Sequence, residues 1–525
     1  MLNFSNLRFG AMVKSLADAC DSDRSHLRMS GLVVLLAIAA SVAAQQPDFS
    51  AVTQSFITVS APVVVLQNVR VIDGTGAPAL ENQAVVIADG KIRSIGPQSS
   101  VQVPAGAQAI DLSGHTVLPG LVGMHDHMFY PSPYGEGGRV AGAPASYNEM
   151  DVSFPRLYLA GGVTSIRTTG TLEPYTDLQL KMQIDTGRFP GPKMYVTGPY
   201  LEGAGNMGMA QMHWLSGPED ATRTVNYWAD EGVHDYKAYM HITRAELAAA
   251  VKAAHARGLK VTGHLCSIGF TEAANIGIDD LEHGLPVDAE FDPGKEPDVC
   301  PGGMSAPTGP VIAALDLQSA PVQNMMHTLI AKHVAVTSTL PVFEPDRSAA
   351  PRILNALSPQ ARFDFLAANS GRGRSGAAPN GSGNQAARGG AGRAGQSAAV
   401  LKKEQEFEHM FVKAGGTLLA GLDPTGYGGV LAGFGDQREV ELLVLAGFTP
   451  VEAIHIATEN GANFLGVGDK IGTLKPGKQA DIIVVRGNPG QQISDIENVE
   501  TVFKDGVGYD SAKLIDSVKG QVGIH

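Results

Sequence analysis

Cysteine is nearly absent from this chain: Cys20, Cys266 and Cys300 are the three among 525 residues. That scarcity excludes a small scaffold held together by many disulfides. A surplus of positive charge is also missing. Lys and Arg number 39 against 52 Asp and Glu, for a net charge of −13 and a pI near 5.6, which argues against nucleic acid or an anionic membrane as the main partner. The apolar run at 32–44 (LVVLLAIAASVAA) is too short to cross a bilayer, which needs about 20 apolar residues, so no stable membrane insertion is expected. Short solenoid-type repeats are lacking too. What is present is 44% hydrophobic residues in a long chain, enough for a large core with a smaller partner unit.

The run at 32–44 has the form of an export signal. Arg28 precedes it, QQP follows it, and Val42 and Ala44 suit the small-residue positions before a cleavage site. The segment before Met29 carries Lys14, Asp18, Asp21, Asp23 and Arg24, unlike a signal's leading region, so Met29 is read as the true start. Residues 1–44 are therefore expected to be removed on export to the periplasm or beyond. A Cys266–Cys300 bridge is permitted in such a compartment but not expected, because Cys266 ends a strand beside a proposed metal ligand.

Residues 45–118 and 466–525 share a β character. VVVLQNVRVIDG (63–74), AVVIADGKIRSIG (84–96), DIIVVRG (481–487) and TVFKDGVGYD (501–510) are rich in β-branched residues, and Asp89-Gly90 and Asp505-Gly506 are two-residue hairpin signals. Segments at opposite ends pair only if the middle folds as an inserted unit, so a small β-sandwich built from both ends is expected. Between them, 119–465 alternates apolar strands with helical patterns. The strands are LVGMHDH (121–127), VTSIRT (163–168), KMYVTG (193–198), DYKAYM (235–240), KVTGHLC (260–266), IDDLEHG (278–284), VAVTSTLPV (334–342) and TLLAGLD (417–423). Eight strand–helix repeats are the count of a (β/α)₈ barrel, a TIM-barrel α/β fold. Thr243 with Glu246, and Thr449 with Pro450 and Glu452, mark helix starts, and Gly258 marks a helix end. Residues 371–399, rich in Gly, Ala and Arg, read as a flexible insertion. Residues 288–309 read as a long loop near the barrel mouth.

The chemistry gathers at the strand ends. His125 and His127 alternate on the first strand and share a face. His264 ends the fifth strand, His283 the sixth and Asp423 the eighth, while Lys237 lies in the fourth. Each taken singly is more often a structural residue. Together they are nitrogen and hard oxygen donors suited to zinc or a similar divalent ion, at the end of the barrel where active sites lie. A buried lysine is costly as a cation; its amine can instead take up CO₂ as a carbamate, an anion able to bridge two cations. Asp126 and Glu282 are poor partners for these imidazoles, because alternation turns each away from its histidine neighbours.

These residues, with VIDGTG, LPGLVGMHDH, GVTSIR, ARGLKVTGH, IDDLEHG, FTPVEAIHIATENGANFLG and IGTLKPGKQADIIVV, resemble the binuclear branch of the amidohydrolase superfamily that includes imidazolonepropionase-like and prolidase-like enzymes. The resemblance spans residues 63–485. It implies that His125 and His127 hold one metal, that His264 and His283 hold a second, that carboxylated Lys237 bridges them, and that Asp423 binds metal and moves protons. It further implies attack by a hydroxide shared between the metals on an amide or peptide C–N bond, in a dipeptide or N-acyl amino acid. Arg167 is a candidate clamp for a substrate carboxylate, or else a structural ion pair. Tyr239 and His241 are candidate substrate contacts, and His213 stands in for a histidine that relatives carry after the third strand. Where relatives show arginine then aspartate, this chain has Thr168, and LAGLDP replaces their usual Gly-Thr-Asp. Hydrolysis or deamination of a cyclic amide is the alternative, with Lys237 arguing against deamination. A non-catalytic scaffold on the same fold is the reading from another class. A small-molecule or dipeptide partner, and a homo-oligomer, complete the expectations.

Overall fold

The computed structural model describes residues 47–132, 146–204, 211–301, 308–344, 350–369, 390–424 and 429–524. The export signal, Met29 and Cys20 lie outside the described residues, as do 371–389 of the expected insertion. Residues 390–399, read as part of that insertion, instead begin the helix Gly390–Lys413. The alanines and the LKKEQEFEHMF stretch that follows supply the helical propensity, overriding the glycines of the first turns. Among the described residues, no helix is long and apolar enough to cross a membrane.

The two chain ends meet in one sheet. Its order is Ile57–Val59, Val507–Asp510, Val499–Lys504, Ile482–Arg486, His115–Pro119, Val63–Val71, Leu80–Ala88 and Lys91–Pro97, with Gln108–Asp111 pairing beside Val63–Val71. The ends join in two antiparallel pairs, Ile482–Arg486 with His115–Pro119 and Ile57–Val59 with Val507–Asp510. Strand pairing thus makes a single nine-stranded sheet, where two packed layers were expected. Both Asp-Gly hairpins form: Asp89 and Gly90 have φ of 53° and 72°, and Asp505 and Gly506 have 51° and 79°. A tight hairpin of this kind needs positive φ at both central residues, which Asp tolerates and Gly adopts freely.

The central region supplies parallel strands in sheets of three and five. In chain order these are β1 (Leu121–Gly123), β2 (Val163–Arg167), β3 (Lys193–Tyr195), β4 (Asp235–Ala238), β5 (Lys260–Gly263), β6 (Asp280–Glu282), β7 (Ala335–Ser338) and β8 (Leu418–Ala420). β2 and β4 are buried throughout, as expected for parallel strands covered on both faces. The sheets touch at both edges. Thr197, past β3, bridges Asp235 of β4. Met124, past β1, donates its N–H to Ala420 O of β8 at 2.8 Å. β7 stops earlier than its apolar run: Leu340–Phe343 is a short helical turn, because Pro341 at its start cannot serve a ladder. The helix Arg244–His255 opens with the Thr243/Glu246 capping box, and the helix Pro450–His455 with that of Thr449/Glu452.

The loop after β6 is tied to the loop after β5. Lys295 Nζ donates to Ser267 O at 2.6 Å, and Thr271 Oγ1 donates to Glu290 Oε1 at 2.6 Å. Arg244 Nη2 reaches Asp298 Oδ2 at 3.0 Å. Contrary to expectation, Cys266 and Cys300 form a disulfide, with Cα atoms 4.9 Å apart. The β5 ladder ends at Gly263, so strand alternation no longer binds Cys266 to the face of His264. Its sulfur packs instead with Cys300, Ala289 and Met240.

The bridge closes a loop of 34 residues, which chain-entropy reasoning values at about 3 kcal/mol. Thermal unfolding with and without a dithiol reductant should show a clear drop in Tm on reduction. An unchanged Tm would mean that the polar ties alone hold this loop.

Candidate metal centre

Every sequence-selected donor lies on one side of the parallel strands, at or just past their carboxyl ends. His125 and His127 follow β1, Lys237 lies within β4, His264 follows β5, His283 follows β6 and Asp423 follows β8. His125, His127 and Asp423 each offer a ligand atom within 4.8 Å of the others. Lys237 Nζ is 2.9 Å from His125 Nε2. The His283 ring lies 4.4 Å from that of His125 and 4.6 Å from that of His264, between centroids. His283 Nε2 is 3.9 Å from Asp423 Oδ2.

Two of these residues depart from strand geometry. His283 has φ of 68° and Asp423 of 51°, a left-handed conformation that non-glycine residues seldom hold and that collects at functional sites. Gly284 follows His283 with φ of 65°. An added Cβ there would run into the Glu404 carboxyl, so glycine is required. The twist also corrects the expectation for Glu282. Alternation would place Glu282 and His283 on opposite faces, but the left-handed turn at His283 lets both point to the centre. Glu282 Oε2 accepts from His125 Nδ1 at 2.8 Å. Asp126 is also buried, packed under Gly123. Burial, and then repulsion from Asp436, push its carboxyl well up from the usual range.

Arg167 is corrected too. As a substrate clamp it would face the mouth; it is instead fully buried. Its Nη2 donates to Glu282 Oε1 at 2.8 Å and to Asp280 Oδ2 at 3.0 Å, and its Nε to Met124 O at 2.8 Å. The ion-pair alternative is the one found. Thr337 Oγ1 donates to the same Asp280 oxygen at 2.7 Å. Burial and the adjacent Glu282 raise Asp280 to about 7 against the opposing pull of Arg167.

The electrostatics favour a cation. Burial, with Lys237 adding to it, pulls His264 down to about 3. Burial likewise lowers His125, His127 and His283, so the rings are neutral and carry lone pairs. Asp423 feels the reverse balance. Burial would raise it, but His125, His127 and Lys237 together hold it below the ordinary carboxylate range. Burial brings Lys237 down to about 8, against Glu282 and Asp423.

These donors suit a divalent ion. The Nδ1 of His125 is engaged by Glu282 and that of His283 by Thr339 Oγ1 at 2.7 Å, which leaves each Nε2 facing the cluster. Histidines that bind metal are commonly fixed this way by a partner on the second nitrogen. His127 keeps a buried Nδ1 with no hydrogen-bond partner among the described residues. Two neutral imidazoles and an ionised carboxylate within 4.8 Å of one another are a nitrogen–oxygen set of the kind zinc and similar ions take.

Of the substrate candidates, Tyr239 is at the cluster: its ring is 5.0 Å from His264, and Lys237 Nζ is 6.0 Å from its centroid. His241 Nδ1 is 3.5 Å from Glu202 Oε1. His213 is not brought in. It is half-exposed and pairs through Nε2 with Asp220 Oδ2 at 3.1 Å, because its loop folds back onto the start of the helix Pro218–Glu231. Glu282, set aside on alternation, does belong here, as do three residues that no motif pointed to: Thr339, Phe129, stacked on His127 at 4.3 Å, and Tyr200, whose ring is 5.6 Å from Lys237 Nζ. The Gly after His283 was the available signal for Glu282. No local pattern marks the others.

Removing the guanidinium would leave Asp280 and Glu282 buried without a cation. Arg167→Met should therefore cost about 3–5 kcal/mol in denaturant unfolding. A loss below about 1 kcal/mol, the size of a surface pair, would show that the pair contributes little.

Residues 434–508 match the model of the amidohydrolase family. A dihydroorotase of Pelobacter propionicus is 32% identical over 114 residues, 22% of this chain and 23% of that protein; the chain thus matches under a quarter of that curated relative's length. Among solved structures, a Xaa-Pro dipeptidase with methionine bound in its active site is similar with a TM-score of 0.61 at 21% identity, covering 85% of this chain and 100% of the other. An amidohydrolase is similar with a TM-score of 0.59 at 19% identity, over 85% and 99%. These likenesses establish a shared mixed α/β fold. Beyond that fold, the likeness to the amidohydrolase family lies in the matched segment at the carboxyl-terminal side.

Proposed function

We propose that the parallel strands close into a (β/α)₈ barrel whose mouth holds two divalent ions, and that the protein hydrolyses an amide or peptide C–N bond in a dipeptide or N-acyl amino acid. The observation that carries this reading is the meeting of His125, His127 and Asp423 within 4.8 Å, with Lys237, His264 and His283 packed around them. Both edge contacts between the two parallel sheets support closure. His125, His127 and Asp423 would hold one ion, and His264 and His283 the other. Lys237 would lie between them as a carbamate, formed when its neutral amine bonds to the carbon of CO₂ and releases a proton to solvent. The descent of Lys237 to about 8 supports a supply of that neutral amine. Zinc is the ion the donor types favour.

When bound, such ions polarise a carbonyl and make water a nucleophile near neutral pH. The chain's own groups do the rest. Asp423, ionised, accepts the water proton on a carboxylate oxygen and returns it to the leaving nitrogen. Glu282 and Thr339 fix the His125 and His283 rings so that each Nε2 faces inward. Phe129, Tyr200 and Tyr239 line the space beside the cluster and exclude water. Export is supported by the apolar run at 32–44 and by the Cys266–Cys300 bridge, since disulfides persist in oxidising compartments. A second reading, hydrolysis of a cyclic amide, draws support from the stretch shared with dihydroorotase.

Metal-loaded protein incubated with dipeptides, N-acyl amino acids and cyclic amides should turn over one of the first two classes. Turnover of cyclic amides alone would select the second reading, and no turnover of any would overturn both. Asp423→Asn should lower kcat by about 100-fold or more with Tm unchanged, and full activity in that variant would contradict its role. Glu282→Gln should weaken metal binding by about 10- to 100-fold, measured by competition with a chelator; unaltered affinity would show that it does not orient His125.

A further inference from the structure

A second cavity lies away from the histidine cluster. It has a volume of about 660 Å³ and is walled by both hairpin turns, by the end of the helix Pro174–Asp185, by β3 and by the segment around Pro47 and Phe49. Lys193, its neighbour on the barrel side, begins β3, so the cavity sits at the amino ends of the strands, opposite the face that carries the metal donors. Its volume is within the range of small-molecule sites, roughly 300–1,000 Å³. Phe49, Ile87, Ile184, Met194, Val507 and Tyr509 supply apolar lining.

Four lysines line the wall: Lys91 is exposed, Lys181 pairs with Asp185 Oδ2 at 2.6 Å, and the two less exposed ones, Lys193 and Lys504, differ. Lys193 Nζ is saturated: it donates to Asp481 Oδ2 at 2.6 Å and Gln479 Oε1 at 2.8 Å, and pairs with Asp505 Oδ1 at 2.8 Å. Lys504 is 8% exposed. Among the described residues its Nζ donates to one acceptor, Gly191 O at 2.7 Å, although an ammonium carries three N–H bonds. Burial brings it down to about 8, partly opposed by Asp505. A buried cation with unused donors at the edge of an apolar cavity wants an anionic oxygen. The nearby Asp185 and Asp505 disfavour a multiply charged group such as a phosphate. We propose that this cavity binds a small monocarboxylate with an apolar tail, its carboxylate on Lys504 and its tail against Ile87, Met194 and Val507. The site is separate from the hydrolytic centre and does not depend on the reaction assigned there.

The test is calorimetric titration of the metal-loaded protein with 4-phenylbutyrate, with neutral 4-phenylbutan-1-ol as comparator. Lys504→Met should weaken phenylbutyrate binding by about tenfold or more, as loss of a charged hydrogen bond does. The alcohol should bind the unaltered protein more weakly than the acid by a similar factor. Ala61→Trp, at a half-buried wall position, leaves Lys504 in place and should abolish binding by filling the space. It keeps the test decisive should Lys504→Met fail to fold. Hydrolysis should be unchanged in both variants. Equal affinity for acid and alcohol, binding that survives Ala61→Trp, as it would if the acid sat on the catalytic metals, or no binding to the unaltered protein would each overturn the proposal.

Discussion

The contact on which the centre rests is the buried chain from Arg167 through Glu282 to His125. Glu282 accepts from the guanidinium at 2.8 Å with one oxygen and from the imidazole at 2.8 Å with the other. Its charge therefore does two things at once. It balances a fully buried arginine, and it holds the Nδ1 proton of His125 so that Nε2 presents a lone pair to the cluster. Neither partner could stay buried alone at reasonable cost. Asp280 and Thr337 extend the network behind the strands. Residues from β1, β2, β6 and β7 are thereby tied together beneath the donors.

Burial shapes the rest of the site. Low polarity makes the histidines neutral, which would be a penalty for an isolated basic group but is the state a metal ligand requires. The same burial would protonate Asp423, were it not for the ring nitrogens and Lys237 beside it. Opposed shifts among groups in contact are a mark of sites arranged for proton and metal chemistry rather than for packing. Backbone strain at His283 and Asp423 points the same way, since only a surrounding structure that overdetermines the conformation maintains it.

Much of the framework was legible because it is local. An Asp-Gly pair between β-branched runs specifies a tight hairpin through two residues' φ preferences, and both such turns occur. A threonine followed three residues later by glutamate specifies a reciprocal cap, and both capping boxes form. The strand-end placement of these His and Asp residues was legible because apolar strands punctuated by His or Asp at their carboxyl ends form a repeated pattern. Alternation misled where the chain leaves the strand. It assigned Glu282 the wrong face because His283 turns left-handed, and it discouraged the Cys266–Cys300 bridge because β5 ends at Gly263. It was silent on Thr339, which reaches His283 from the loop after β7.

The amino-acid sequence by itself determined the kinds of element, the hairpins, the caps and the residue types available for chemistry, because each depends on neighbours within a few positions. The tertiary structure decided which of those residues meet. Arg167 was equally suited to a substrate carboxylate or an internal one, and only the positions of Asp280 and Glu282, more than a hundred residues away, selected the internal pair. His213 had the right chemistry for the centre, yet its loop carried it to Asp220. Charge pairing over such separations is set by strand order and register, which no local pattern encodes.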